Sequence, residues 1–262
     1  MSVSTYDSLY HYPAYYDAVF GTSTGIEADF LCDCFRLFAQ RKVRRVFEPA
    51  TGSGRLLIEL ARRGFRVSGC DLSAAAAAYG NARLKRKGFP NAIQVFDMSE
   101  FTLRPQVDAA FNLISSFQHL PDDEAAASHL RSIADSLAPG GIYVIGLQLL
   151  PVRGRRCGSE SWSGRKGKLS VRTDLKTTRL DRERRLDVCR MISTIVDGTS
   201  RRKIRENLRF RTYTAVQFKS LLRKVPSLEV AATYDFTYTI AEPIVVDPTT
   251  QDAIFVLRKK KA

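Results

Sequence analysis

Long apolar runs are missing from this 262-residue chain. No stretch approaches the roughly 20 residues that a membrane-spanning helix needs. The opening Met1-Ser2-Val3-Ser4-Thr5-Tyr6-Asp7 has neither the basic start nor the apolar core of a secretory signal. Both absences lead to the expectation of a cytoplasmic protein without a membrane partner. Histidine is scarce, at three residues (His11, His119, His129), and the five cysteines are odd in number and scattered. Neither set completes a metal-ligand spacing, so no metal is expected. Acidic residues are thin in one region, where residues 151–212 hold 19 of the 41 Lys+Arg and only 7 of the 27 Asp+Glu. The net charge of +14 belongs mainly to that segment, and the rest of the chain is close to neutral.

What is present is an organising stretch. Val43-Arg44-Arg45-Val46-Phe47-Glu48 is a short strand, Pro49-Ala50-Thr51-Gly52-Ser53-Gly54 a small-residue loop, and Arg55 opens the helical pattern Leu56, Leu57, Ile58, Leu60, Ala61. In open α/β sheets, such a turn at the carboxyl end of the first strand is where nucleotide-like ligands meet backbone N–H groups. A dinucleotide fingerprint would need a third glycine where Leu57 stands. Glu48 closing the strand would repel a pyrophosphate and welcome an ammonium group.

Two more strands end in acids: Arg66-Val67-Ser68-Gly69-Cys70 in Asp71, and Ile93-Gln94-Val95-Phe96 in Asp97-Met98. With these residues the chain resembles the class I S-adenosylmethionine (SAM)-dependent methyltransferases, of the small-molecule type. Their first motif is an acid followed by x-G-x-G-x-G, from which the sequence departs once, with Ala50 in place of the first glycine. The resemblance implies an α/β fold, a seven-stranded mostly parallel Rossmann-like sheet, and SAM as cofactor with S-adenosylhomocysteine (SAH) as product. It implies that Glu48, Ala50, Thr51, Gly52, Gly54 and Arg55 hold the methionine end, Asp71 and Leu72 the ribose, and Asp97 and Met98 the adenine. Ser115 and Phe117 follow the fourth strand, in the loop that faces the methyl group in this family, and are expected at the cofactor too. His119 in the same loop is a candidate general base, or else a structural hydrogen-bonder at a helix entry.

Residues 1–41 read as an aromatic segment (Tyr6, Tyr10, Tyr12, Tyr15, Tyr16, Phe20) followed by a helix. Tyr10 and Tyr16 resemble the Tyr-Asp segment that folds over SAM in the family. Ring faces suit a sulfonium, and Tyr16 is the second catalytic candidate. The alternative is an aromatic arm packed on the sheet edge. Residues 42–150 form the cofactor-binding core. Residues 151–213 read as a basic antiparallel β insertion, a loop over 153–168 and then three strands turning at Asp181-Arg182-Glu183 and Asp197-Gly198-Thr199. Residues 214–262 supply a helix and a hairpin that complete the core.

The leading expectation is an enzyme methylating an O, N or C nucleophile of a small molecule. Ser115-Ser116-Phe117-Gln118 lacks the Asn/Asp-Pro-Pro-aromatic signature of enzymes that methylate exocyclic amines of bases, so nucleic acid is the less favoured acceptor. Two alternatives stay open: a methyltransferase of RNA or another polyanion using the basic 151–212 segment, and a non-catalytic SAM-fold protein whose insertion is an interaction surface. A homodimer is also left open.

Overall fold

The computed structural model describes residues 8–21, 23–154 and 156–261. Tyr6 and Asp7 of the aromatic segment lie outside the described residues. In chain order the elements are α1 (Pro13–Phe20), α2 (Thr24–Phe38), β1 (Arg45–Glu48), α3 (Arg55–Arg62), β2 (Arg66–Asp71), α4 (Ala74–Arg86), β3 (Ile93–Val95), β4 (Val107–Asn112), α5 (Asp123–Ser136), β5 (Leu137–Gln148), β6 (Ser159–Lys166), β7 (Leu169–Asp181), β8 (Leu186–Asp197), β9 (Ser200–Arg211), α6 (Ala215–Leu222), β10 (Leu228–Tyr234) and β11 (Asp252–Lys259). Among the described residues no helix is long and apolar enough to cross a membrane.

Seven strands form one sheet in the order β10-β11-β5-β4-β1-β2-β3. β11 is antiparallel to both β10 and β5, and the other neighbours are parallel. β1 has β2 on one side and β4 on the other, so the strand order reverses beside it. The crevice above the carboxyl ends of β1 and β4 is where an open α/β sheet takes a ligand. Apolar residues cover both faces. One face packs Phe47, Leu130, Tyr143 and Phe255 under α5 and α6, and the other packs Phe30, Leu57, Phe111 and Val144 under α2 and α3. Inside the first face His129 donates from Nδ1 to the Met98 carbonyl at 2.7 Å and accepts at Nε2 from the Tyr143 hydroxyl at 2.9 Å. Burial pushes its pKa down to about 4, so it is a neutral core histidine.

The second sheet, β6-β7-β8-β9, is antiparallel throughout and lies in the chain between β5 and α6. It has four strands where the sequence reads as three after a loop. Residues 159–166 are β6, paired with β7 from Ser159↔Lys176 to Lys166↔Leu169. The reason is composition: the positions of β6 that face inward are Glu160, Trp162 and Gly164, so period-2 apolar alternation is nearly absent. The Asp197-Gly198 turn forms as its residues require, with Gly198 at φ +58°.

The inner face of this sheet lies on α1. Ala18 and Val19 pack with Val171, Ile195 and Ile204, and Trp162 lies against Phe20 with ring centroids 5.5 Å apart. A Cβ on Gly164 would run into the Ala18 carbonyl, so the helix backbone sits directly on the strand. The sheet therefore caps the crevice, with α1 wedged between it and the core.

Candidate active site

The loop after β1 is held in shape by its own backbone and by Asp71. Ala50, Gly52 and Gly54 all have left-handed backbones, at φ +52°, +55° and +68°. Gly52 N–H donates to Asp71 Oδ2 at 2.7 Å, and Ser73 N–H donates to Oδ1 at 2.8 Å, so the carboxylate ending β2 anchors the loop ending β1. Ala50, Gly52, Asp71, Leu72, Asp97, Met98, Ser115 and His119 all line one cavity of about 1200 Å³, as do Tyr10 and Tyr16 from the N-terminal segment. Asp97 stands two residues beyond the end of β3 and accepts from Ser99 N–H at 2.7 Å.

A smaller recess beside the cavity is lined by Tyr16, Glu48, Thr51, Arg55 and Asn112. Arg55 is committed to a buried ion pair with Glu27 of α2 at 2.5 Å and a hydrogen bond to Thr24 Oγ1 at 3.2 Å. Three buried oxygens around the recess have no hydrogen-bond partner: Glu48 Oε2, Thr51 Oγ1 and Asn112 Oδ1. Unpaired buried polar atoms are costly, and a polar ligand group is the natural remedy. Burial pushes the Glu48 carboxyl well above its usual range; Arg55 opposes the shift, while Glu27 and Asp71 add to it.

Two expected cofactor residues sit elsewhere. Gly54 lies under the loop at the start of α3, where a Cβ would meet Ile93 Cδ1 at 3.0 Å, so its smallness serves packing. Phe117 is fully buried among His129, Tyr213 and Phe218. β4 stops at Asn112, and a single helical turn over Ser116–His119 sends Phe117 inward and leaves its neighbours on the cavity. Ser115, at the start of that turn, has φ +48°.

The sequence reading missed several groups that shape the site. Asp17 of α1 is 5 % exposed and accepts from Ser53 Oγ (3.1 Å), Arg83 Nη1 (2.5 Å) and Lys166 Nζ (2.7 Å). Glu206 of β9 accepts from Ser8 Oγ at 2.7 Å and Leu9 N–H at 2.9 Å, pinning the N-terminal segment to the second sheet. Tyr10 brings its hydroxyl to within 3.2 Å of His119 Nε2, and His119 packs on Phe210 of β9 with ring centroids 4.9 Å apart. Burial pushes the His119 pKa down, which leaves the ring neutral at physiological pH. Only the Tyr-Asp pair in α1 gave any local signal. Among the described residues no cluster of His, Cys, Asp and Glu could hold a metal ion.

Residues 46–141, which span β1 to the start of β5, match the family model of a methyltransferase domain. Over these residues the chain carries a methyltransferase domain. Its fold is shared over nearly the whole length by solved structures of low identity. A SAM-dependent methyltransferase from Clostridium acetobutylicum superposes with a TM-score of 0.77 at 15 % identity, covering 97 % of this chain and 100 % of that one. SAM-bound CalS10, an amino pentose methyltransferase from Micromonospora echinaspora, gives 0.73 at 21 % identity over 99 % and 100 %. The sugar N-methyltransferase KedS8 from Streptoalloteichus sp. gives 0.73 at 18 % identity over 100 % and 96 %. No curated protein matches the chain.

The residues of the methyltransferase domain fit SAM. The orphaned oxygens of Glu48, Thr51 and Asn112 suit a zwitterionic amino acid end, and Asp71, Asp97 and Met98 line the cavity beside them.

Two outcomes follow from this geometry. Ala50 pays a left-handed backbone cost that glycine avoids, so Ala50→Gly is expected to stabilise the protein by about 1 kcal/mol, a rise of roughly 2–4 °C in Tm. A lower melting point would contradict the strain. For Glu48, the native state keeps a proton that the unfolded chain has already lost, at pH values between the ordinary 4.5 and the raised value. The unfolding free energy therefore falls as pH rises through that window, and Glu48→Gln should flatten the fall. Urea melts of both proteins at several pH values measure it, and equal slopes would exclude Glu48 as the source.

Proposed function

We propose that the protein transfers the methyl group of SAM to an O, N or C nucleophile of a small molecule enclosed between the core and the cap. The observation that carries this is the cavity, whose volume of about 1200 Å³ exceeds the roughly 300–1,000 Å³ of a pocket for one drug-sized ligand. Its walls come from both sheets: the Gly52 loop, Asp71 and Asp97 on one side, and Trp162, Met191 and Phe210 of the cap on the other. Two molecules can then meet away from solvent. A cytoplasmic location is part of the same reading.

When bound, SAM supplies a methyl group on a sulfonium, whose departure leaves a neutral thioether. The chain's own work is then to hold two partners in line and exclude water, with no covalent intermediate on the protein. Glu48 and the Gly52 loop hold the amino acid end, Asp71 the ribose, and Asp97 with Met98 the adenine. Tyr16 covers the loop, its ring lying against Gly52. We assign the acceptor's proton to neutral His119, which lines the cavity with the Tyr10 hydroxyl 3.2 Å from its Nε2.

Charge placement supports a small molecule over a polyanion. On the cap sheet Arg172, Lys176, Arg190, Lys203, Arg205 and Arg209 are exposed, while Glu160 and Asp187 line the cavity. A phosphate-rich acceptor entering the cavity would meet carboxylates.

Transfer of labelled methyl from SAM to a panel of amines, alcohols and phenols, run beside total RNA, tests the reading. Label is expected in small molecules and not in RNA, and label in RNA alone would overturn it. With an accepted substrate, His119→Ala should lower kcat by about 10²-fold with little change in KM. An unchanged kcat would leave placement as the whole of catalysis.

A further inference from the structure

At the carboxyl end of β5 the cavity wall changes character. β5 lies two strands from β1 and β11 lies three, so this wall is displaced by about 10–14 Å from the Gly52 loop at the usual strand spacing. Asp252 opens β11 directly opposite Gln148, which closes β5. Gln148 donates its side-chain amide to Glu160 Oε1 of β6, and its backbone N–H donates to Gln118 Oε1 at 3.0 Å. Beside them Arg156 donates to Asp187 Oδ2 and, at 3.0 Å, to Thr177 Oγ1; Thr177 Oγ1 donates in turn to Asp187 Oδ2 at 3.2 Å. Glu160, Asp187, Asp252 and Arg156 all line the cavity.

Among the described residues of this wall the balance is three carboxylates against one guanidinium. Among the described residues that line the cavity, the other basic groups are His11 and His119. Asp235 stands near Asp252 from outside the lining and adds negative charge. Two acceptor atoms are also unspent. Asp187 is 3 % exposed, and its Oδ1 has no partner; Asp252 Oδ1 is buried and equally alone. A buried carboxylate with an unused lone pair, in a wall whose described residues include one guanidinium, suits a donor brought by a ligand. The same segment leaves Arg172, Lys176, Arg190, Lys203, Arg205 and Arg209 exposed on its sheet, so the carboxylates of the cavity wall are not a by-product of composition.

We infer that this wall recognises the acceptor, and that the acceptor is a small-molecule amine, received as its ammonium between Glu160 and Asp252 while Asp187 Oδ1 takes a further N–H or O–H from it. The inference rests on the methyltransferase reading for the word acceptor, and concerns what is held, whichever atom takes the methyl. An ammonium answers the excess negative charge, its protons reach several oxygens at once, and a neutral alcohol of the same shape answers only the hydrogen bonds. Glu160 is the residue best placed to discriminate, because it comes from the cap while Asp252 comes from the core.

The test uses trans-4-aminocyclohexanol and trans-cyclohexane-1,4-diol, matched in shape, titrated by ligand-observed NMR into the full-length protein with and without saturating SAH. The amine is expected to bind at least tenfold more tightly than the diol, about 1.4 kcal/mol. The Glu160→Gln/Asp252→Asn variant should lose that preference while taking up SAH like the native protein, which also reports that it is folded. Equal binding of amine and diol, a preference that survives in the variant, or no binding of the amine at about 10 mM would each overturn the inference. A protein that prefers the amine but takes up no SAH would keep the recognition site and lose the methyltransferase reading.

Discussion

The arrangement depends on one buried carboxylate. Asp17 reaches the glycine loop through Ser53, α4 through Arg83 and the second sheet through Lys166, and is itself carried on α1. A buried ion is destabilising unless it is paired and its lone pairs are filled, and here two cations and a hydroxyl do both. Four parts are thereby tied at one point: the glycine loop, α1, α4 and the insertion. The aromatic series Tyr16, Phe20 and Trp162 runs through the same junction, with centroid separations of 4.5 and 5.5 Å. Because Gly164 admits the α1 backbone against β6, the junction is tight enough for the cavity to have continuous walls.

That closure gives the net charge its meaning. A chain of +14 invites a nucleic-acid reading, yet in a sheet with one wet face the period of two sorts residues by side. Arg172, Lys176, Arg190, Lys203, Arg205 and Arg209 of the insertion fall on the wet side, while its Glu160 and Asp187 fall on the side that meets the cavity. Sequence-wide charge and site charge therefore have opposite signs, and it is the site charge that an acceptor meets.

The core was legible because its signals are local. A strand ending in an acid, repeated at Glu48, Asp71 and Asp97 with a glycine loop after the first, is written in consecutive residues. The topology that such repeats imply is the one observed, with the strand order reversing beside β1. The departure at Ala50 was legible too, and the positive φ shows that the position keeps the backbone a glycine would adopt. What the sequence hid is what depends on contact at long range. Asp17 and Lys166 are 149 residues apart, Glu206 and Ser8 198 apart, and no periodicity connects them. β6 was hidden because serine, glycine and one tryptophan replace the usual apolar alternation. Phe117 misled because its loop turns once as a helix, and a half-turn decides whether a side chain faces ligand or core.

Calorimetric titration of SAH into the native protein and into Asp71→Ala tests the central claim most directly, since Asp71 shapes the glycine loop and is the residue we propose for the ribose. One SAH should bind per chain, with affinity falling at least tenfold in the variant, about 1.4 kcal/mol. Absence of binding to the native protein at millimolar SAH, or identical affinity in both, would contradict the account.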